Sequence, residues 1–391
     1  MTAFDARFVG VLGGGRLTAV DRAGTVRPER ANWDLGWWIG ADDRWHFPDR
    51  EAAVRQSLLD GMPVVVTSMR VPGGDAIHRV YGASPDATVV EVENDSPAPF
   101  VIALVVRGAA QVELEGSSIL ADRRVAVVAA RPPARWAASV DGSTKATVEA
   151  GGARDDAFVP RVDRGARVDA AFLFPLAHRA RAQFFVPVGP GEPPATVPDA
   201  EQVARGWRAQ LERGMQVELP DPTLQAAVDT ARAAVLLVGE AWITRPEVVI
   251  ALEDWGFDDE ARVAWSHLGL FARRKAARRP AARATWDEVL ARSHARDDAV
   301  FLAALRSALV VDREQGVELL ADWPDEWRGQ TLDVRNAPTR AGSVSYSLRW
   351  HGDRVALLWE APPGTALRIP AFDPEWVGTT PRGEALLGDR G

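Results

Sequence analysis

Three glutamates are candidates for acid–base chemistry: Glu247, Glu253 and Glu326. Inverting cleavage of a glycosidic bond needs two carboxyl groups about 6.5–9.5 Å apart, one protonated and one ionised. Glu247 and Glu253 fall in a helix-forming stretch, where acids also serve as ordinary helix-end and surface charges. The sequence therefore leaves the catalytic residues unknown and offers these three as candidates.

Tryptophan is the second feature, with 15 in the chain. Indole rings stack on the apolar faces of sugar rings, but they also fill large cores. The dense run from Asn32 to Trp38 either forms an exposed platform or covers the edge of a sheet, and both interpretations stay open. A loop with two acids between two tryptophans suits sugar binding, although packing between a helix and a sheet is preferred. The candidate sugar-binding residues are Trp33, Trp37, Trp38, Trp45, Trp242, Trp323 and Trp327.

Other common reaction centres have no signature in this sequence. There is no cysteine, which excludes disulfides and thiolate ligands. The six histidines lack metal-binding spacings such as His-Glu-x-x-His. Gly13-Gly14-Gly15 lacks the lysine of a phosphate-binding loop. We therefore expect no metal site and no cofactor.

Charge and hydropathy limit the partners and the compartment. A formal net charge of −8 argues against general nucleic-acid binding. The basic run from Arg273 to Arg283 suits either a polyanion patch or, as we prefer, a solvated loop between helices. No apolar run is long enough to span a membrane. The residues after Met1 lack the pattern of a secretory signal, so we expect a cytoplasmic protein.

The sequence pattern predicts the helices and strands that would position these residues, and together they indicate a multidomain α+β chain. Short strands separated by Gly- and Pro-rich turns indicate an N-terminal antiparallel β-sandwich over residues 1–195, with one short helix at Arg50–Leu59. Residues 196–220 suit a linker and a connecting helix. Residues 221–312 predict five helices, the first capped by Asp221 and the fourth by Thr285. Residues 313–391 predict a small C-terminal sheet.

Four segments resemble the six-hairpin glycosidases, whose helices form an (α/α) toroid, and are closest to the glucoamylase-like and trehalase-like branch. They are Val9–Gly24, Asn94–Phe100, Ala251–Ala261, and Leu319–Trp327 together with the following Val334–Gly342. A toroid of twelve helices needs roughly 190 residues, whereas the helical block has 92. The resemblance therefore implies a truncated helical domain. Pro246 stands where the family has an aspartate, so no catalytic residue carries over.

These observations lead to three functional hypotheses. We expect a non-catalytic protein that binds a carbohydrate or assembles with a partner, including a second copy of itself. The alternative is an active glycoside hydrolase on α-glucosides, with an inverting two-carboxylate mechanism. In the third hypothesis the protein is purely structural, and all of its tryptophans lie in the core.

Overall fold

The computed structural model describes residues 6–84, 87–156, 166–189, 196–237, 245–277, 283–295 and 297–388. Within them the protein is a multidomain α+β chain with an N-terminal antiparallel sandwich, helices in the middle and C-terminal sheets, as predicted. The chain divides into two compact units, Met1–Arg205 and Gly206–Gly391.

The first unit consists almost entirely of strands. Its elements are β1 (Ala6–Val9), β2 (Thr18–Asp21), β3 (Val26–Pro28), β4 (Asp34–Gly40), β5 (Trp45–His46), β6 (Arg55–Leu58), β7 (Val64–Val71), β8 (Gly74–Ser84), β9 (Ala87–Asp95), β10 (Phe100–Ala109), β11 (Val112–Glu115), β12 (Ser118–Ala121), β13 (Arg124–Ala129), β14 (Arg135–Ser139), α1 (Thr144–Glu149), β15 (Val168–Leu176) and β16 (Arg181–Pro187). The helix α2 (Ala200–Leu211) follows.

Two antiparallel sheets form this unit. The first sheet has the order β1-β2-β3-β4-β10-β15-β14, with β5 paired to β4. The second sheet has the order β11-β12-β13-β16-β9-β8-β7-β6. Ile102 and Leu104 of the first sheet share one buried core with Val90 and Val92 of the second. The facing sheets therefore enclose the core of a sandwich.

The first sheet also has an apolar outer face, because side chains alternate along a strand. Ala103 and Val105 of β10 point away from the main core and belong to a second, smaller cluster. Phe47, which follows β5, and Val148, which lies in α1, cover that cluster. The outer face is thereby partly closed and lies beneath a cavity described below.

One predicted element of the sandwich is wrong. Instead of a helix at Arg50–Leu59, residues 55–58 form β6 and pair with β7 at the edge of the second sheet. Arg55 and Ser57 are exposed, whereas Gln56 and Leu58 are partly buried. This alternation suits a strand that is covered on one face only. The segment therefore satisfies part of its backbone by antiparallel pairing with the next strand in the sequence.

The second unit combines helices and strands. Its elements after α2 are β17 (Gln216–Glu218), α3 (Pro222–Leu236), α4 (Pro246–Asp254), α5 (Asp258–His267), α6 (Leu270–Ala277), α7 (Trp286–Ser293), α8 (Asp298–Leu309), β18 (Val310–Arg313), β19 (Gly316–Leu319), β20 (Leu332–Thr339), β21 (Gly342–His351), β22 (Arg354–Glu360), β23 (Leu367–Ile369), β24 (Asp373–Gly378) and β25 (Arg382–Leu387). One sheet has the order β17-β20-β21-β22-β25 and the other β18-β19-β23-β24.

The helices do not form a toroid, so the resemblance to six-hairpin glycosidases is wrong. Strands make up 42% of the structure and helices 24%. The helices α3, α4 and α7 each pack on α8 instead of forming a ring. Phe301, Leu302 and Leu305 of α8 are all buried, as expected for a helix enclosed on most sides. Among the described residues, α3, α4 and α7 surround α8, while α5 and α6 pack on α4.

Two local predictions in this unit also need correction. The basic run was expected to be a loop, but Arg273 and Arg274 lie in α6, so residues 221–312 contain six helices within their described part rather than five. Gln216–Glu218, expected within the linker, is an edge strand that pairs with β20. The caps at Asp221 and Thr285 are confirmed. No helix in the described ranges is long and apolar enough to cross a membrane.

Candidate functional site

An open groove of about 1040 Å³ among the described residues is the candidate binding site. It lies in the first unit, and both sheets contribute to it. Arg16, Arg30 and Trp33 belong to the segments that flank β2, β3 and β4 of the first sheet. Ser118 and Arg124 begin β12 and β13 of the second sheet. The groove therefore has one wall from each sheet.

Trp33 is the aromatic residue of the groove. It immediately precedes β4 and is partly buried, and part of its side chain packs against the sandwich core. The rest of the side chain lines the groove. The core contact restrains the indole, so its exposed surface is presented in one orientation.

Two hydrogen bonds join the walls of the groove. The Asn32 amide donates to Oδ2 of Asp122 at 2.8 Å. The Arg16 guanidinium donates to the Val188 carbonyl at 2.5 Å. Oδ1 of Asp122 also accepts from the backbone N–H groups of Ala110 and Gln111. These contacts hold the wall that carries Trp33 against the wall that carries Arg124.

The turn between β12 and β13 places Arg124. Both of its central residues are left-handed, with φ of 51° at Asp122 and 64° at Arg123. A two-residue hairpin turn of this kind matches the right-handed twist of the strands, and aspartate tolerates its first position. The turn delivers Arg124 directly into β13, exposed at the rim of the groove.

The charge of the groove is opposite to that of the whole chain. The described residues of its lining include three arginines, Arg16, Arg30 and Arg124, and one carboxylate, Glu29. Glu29 accepts a hydrogen bond from the Leu17 backbone N–H at 3.3 Å. The formal charge of these four residues is therefore +2, in a chain whose net charge is −8.

A smaller cavity of about 150 Å³ lies on the outer face of the first sheet. Trp38, Lys145 and Asp169 line it. The Lys145 ammonium lies 3.3 Å from the centre of the Phe47 ring, a cation–π contact. Burial lowers the pKa of Lys145 and raises the pKa of Asp169. Trp38 is only 7% exposed, so this cavity offers it little contact with a ligand.

Trp37 and Trp45 do not line the groove. Trp37 is 2% exposed in the sandwich core, where it stacks on the ring of His78 with centroids 4.8 Å apart. Its indole N–H donates to the Ala23 carbonyl. Trp45 packs against the outer cluster of the first sheet. Of the dense aromatic run, the structure thus brings Trp33 alone to the groove.

The tryptophans of the second unit pack on one another. Trp327 lies between Trp286 and Trp323, at centroid distances of 4.6 and 5.7 Å. Trp323 continues to Phe372 at 5.6 Å. Trp327 is only 5% exposed, because Trp286 and Trp323 pack against its ring. Its indole therefore has little surface to offer a sugar. Trp242 lies outside the described residues.

The candidate carboxylates all belong to the second unit and not to the groove. Glu247 and Glu253 lie on α4, and Glu253 accepts a hydrogen bond from the Trp265 indole. Glu326 is exposed in a single 3₁₀ turn beside Trp327. Among the described residues, no group of three or more His, Asp or Glu side chains could hold a metal ion.

Sequence reasoning missed the arginines of the groove. Arg30 stands two residues before Asn32, at the edge of the aromatic run, so its position was a usable signal. Arg124 had no such signal in the sequence, because it comes to the same groove as Trp33 only where the two sheets of the sandwich face each other. In comparisons with protein families and with curated proteins, neither a family nor a curated protein matches this chain.

Proposed function

We propose that the first unit binds a carbohydrate in the groove that contains Trp33. The observation that carries this proposal is the position of Trp33, which packs partly against the core and partly lines a groove of about 1040 Å³. A restrained indole that faces an open groove offers an apolar surface on which a sugar ring stacks at little cost in side-chain entropy.

The polar residues of the groove support the same proposal. Sugar hydroxyls need donors and acceptors around the apolar surface on which the ring rests. Arg30 supplies donors, Glu29 supplies acceptors, and the Ser118 hydroxyl supplies both. The volume exceeds that of a single sugar, so the groove has room for a short oligosaccharide.

Binding without hydrolysis is the function that this geometry favours. An inverting mechanism needs two carboxyl groups on opposite sides of the bond that is cleaved. Glu29 is the single carboxylate among the described residues of the lining. Hydrolysis of α-glucosides therefore stays a sequence-based hypothesis with no supporting observation at this groove.

The direct test is calorimetric titration of the full chain with a panel of hexasaccharides, neutral and acidic. We expect Trp33→Ala to weaken binding at least tenfold, about 1.4 kcal/mol. Trp45→Ala is the matched control, because Trp45 is also partly buried in this unit but lies outside the groove. If Trp33→Ala binds as tightly as the wild type, the groove is not the site.

Assembly with a partner also stays a prediction. Its first premise, an incomplete toroid, no longer holds. Leu270 and Phe271 at the start of α6 are 69% and 86% exposed, and large apolar side chains that reach solvent favour association. Light scattering on the wild type and on Phe271→Asp will show whether the chain associates through this helix.

A further inference from the structure

The smaller cavity of the first unit contains an amine that the proposed carbohydrate binding does not use. We propose that Lys145 captures a small aldehyde or ketone acid in this cavity as a reversible imine, with Arg50 binding the carboxylate of the acid. Both residues line the cavity on the outer face of the first sheet, and neither lines the groove. The inference goes beyond the proposed function and does not depend on it.

Two contacts fix the position of the amine. Lys145 lies in α1, and the hydroxyl of the preceding residue, Thr144, donates to the Asp169 carbonyl of β15 at 2.8 Å. The ammonium lies 3.3 Å from the centre of the buried Phe47 ring, a cation–π contact that stabilises the protonated amine at rest. The first contact anchors α1 to the sheet and the second restrains the side chain, so the amine meets the cavity in a restricted geometry.

Lysine is the residue type that this chemistry requires. Of the 46 basic residues in the chain, Lys145 and Lys275 are the two lysines. Arginine stays protonated in proteins, whereas a desolvated lysine can lose its proton and act as a nucleophile. Burial and then Arg50 lower the pKa of Lys145, and the opposing effects of Asp49 and Glu149 are smaller. The neutral amine that attacks a carbonyl is therefore more populated at this position than at an ordinary lysine.

Imine formation needs no cofactor and no redox partner. The neutral Nζ of Lys145 adds to the carbonyl carbon, and the carbonyl oxygen becomes the hydroxyl of a carbinolamine. The carbinolamine then loses this hydroxyl and the remaining nitrogen proton as one water, which leaves a carbon–nitrogen double bond. Water reverses both steps, so the capture is reversible.

The size and charges of the cavity indicate the class of the ligand. The volume of about 150 Å³ corresponds to about five waters, so a molecule of about five or six non-hydrogen atoms fits. Arg50 is exposed and forms no ion pair within the described residues. Arg107 also lines the cavity, but it already donates to Asp34 at 2.8 Å. We therefore assign the carboxylate to Arg50, since a guanidinium binds a carboxylate with two parallel hydrogen bonds.

The experiment traps the imine with cyanoborohydride on the full chain and locates the adduct by peptide mass spectrometry. The probes are glyoxylate and isobutyraldehyde, in which an isopropyl group replaces the carboxylate. Each trapping rate at Lys145 is divided by the rate for the same lysine in the chain unfolded by guanidinium chloride, which corrects for the reactivity of the aldehyde. The test variant is Arg50→Gln. The control is Arg135→Gln, an exposed arginine of β14 in the same sheet that does not line the cavity.

We expect glyoxylate to be trapped at Lys145 at least tenfold faster in the folded chain than in the unfolded one. The acceleration should be several-fold smaller with isobutyraldehyde. Arg50→Gln should make the two accelerations equal, whereas Arg135→Gln should keep the difference. Trapping that is no faster in the folded chain would overturn the inference, because Lys145 would then be an ordinary amine. Equal accelerations for the two aldehydes in the wild type would overturn the assignment of the carboxylate to Arg50. Neither result bears on sugar binding in the groove, which the calorimetric titration tests separately.

Discussion

Two buried charged groups, one in each unit, are compensated in different ways. In the sandwich, the carboxylate of Glu91 is 1% exposed and meets the Arg79 guanidinium at 3.0 Å and the Gln183 amide at 3.1 Å. In the second unit, the buried guanidinium of Arg232 donates to the Leu211 carbonyl. Glu91 thus meets a cation at hydrogen-bond distance, whereas the hydrogen-bond partner of Arg232 is a backbone carbonyl and the Asp229 carboxylate lies farther away, at 3.7 Å.

This difference determines what a substitution leaves behind. Removal of one member of a buried ion pair leaves an uncompensated charge, which costs several kcal/mol. Removal of Arg232 leaves the neutral Leu211 carbonyl unpaired, and the Asp229 carboxylate is 38% exposed and therefore solvated. The Glu91 site of the sandwich should therefore be more sensitive than the Arg232 site of the second unit to the loss of its arginine.

The largest expected effect is that of Arg79→Met. It leaves the Glu91 carboxylate buried without its closest cation, which should cost about 3–5 kcal/mol of stability in the sandwich. Native-state hydrogen exchange of the amides in β8 and β9 measures this loss. Arg181→Met is the control, because its side chain is 42% exposed and 3.8 Å from Glu91; it should cost about 1 kcal/mol or less. Equal losses would contradict the comparison.

Asp298→Asn should stabilise the second unit at neutral pH. Burial raises the pKa of Asp298 to about 6, and Asp297 adds to the rise. Because this native pKa exceeds the unfolded value of about 3.9, stability is lost as pH rises between these two values, by up to about 3 kcal/mol. The favourable helix dipole at this first-turn position is worth only about 1 kcal/mol.

Exchange of the α8 amides, corrected for intrinsic rates, tests this expectation at pH 4 and pH 8. The gain from Asp298→Asn should appear at pH 8 and be much smaller at pH 4. A gain that does not change with pH would show that the buried charge of Asp298 is not its cause.

His78 should give the sandwich the opposite dependence on pH. Burial lowers its pKa to about 3, and Nδ1 lacks a hydrogen-bond partner among the described residues. The native pKa lies below the unfolded value of about 6.5, so stability is present above pH 6.5 and is lost towards pH 3. At pH 5 the loss should be about 2 kcal/mol. His78→Phe keeps a ring against Trp37 and should remove this slope from the exchange of β7 and β8.

Arg232→Met should have the smallest effect. It leaves the Leu211 carbonyl unpaired and removes the guanidinium that lies 5.5 Å from the centre of the Trp255 ring. We expect a loss of about 1–2 kcal/mol, measured by exchange of the α3 amides. A loss as large as that of Arg79→Met would show that a carbonyl partner and a charged partner are equivalent here.

The sequence predicted local features of the fold better than long-range ones. Asp221 and Thr285 cap helices through their own side chains, and residues 351–353 turn between neighbouring strands, so each signal lies within a few residues. The pairing of β17 with β20 joins residues more than a hundred positions apart and has no local signal. The toroid was wrong because similar short segments do not determine how helices pack.

The same limit applies to the candidate site. The aromatic run drew attention to Trp33, but β-strand alternation places Trp37 in the core and Trp38 on the opposite face of the same strand. Which of these indoles reaches a groove depends on where the second sheet lies. The hydrogen bond from Asn32 to Asp122 joins residues 90 positions apart, and no sequence pattern predicts it.

The groove has a consequence for identifying its ligand. Because Trp33 and Arg124 belong to different sheets, a molecule that contacts both acts as a reversible cross-link between the halves of the sandwich. Such a ligand binds the folded state and not the unfolded chain, so at a concentration a hundred times its Kd it adds about 2.7 kcal/mol of stability. A thermal-shift screen would therefore report the ligand without any assay of activity.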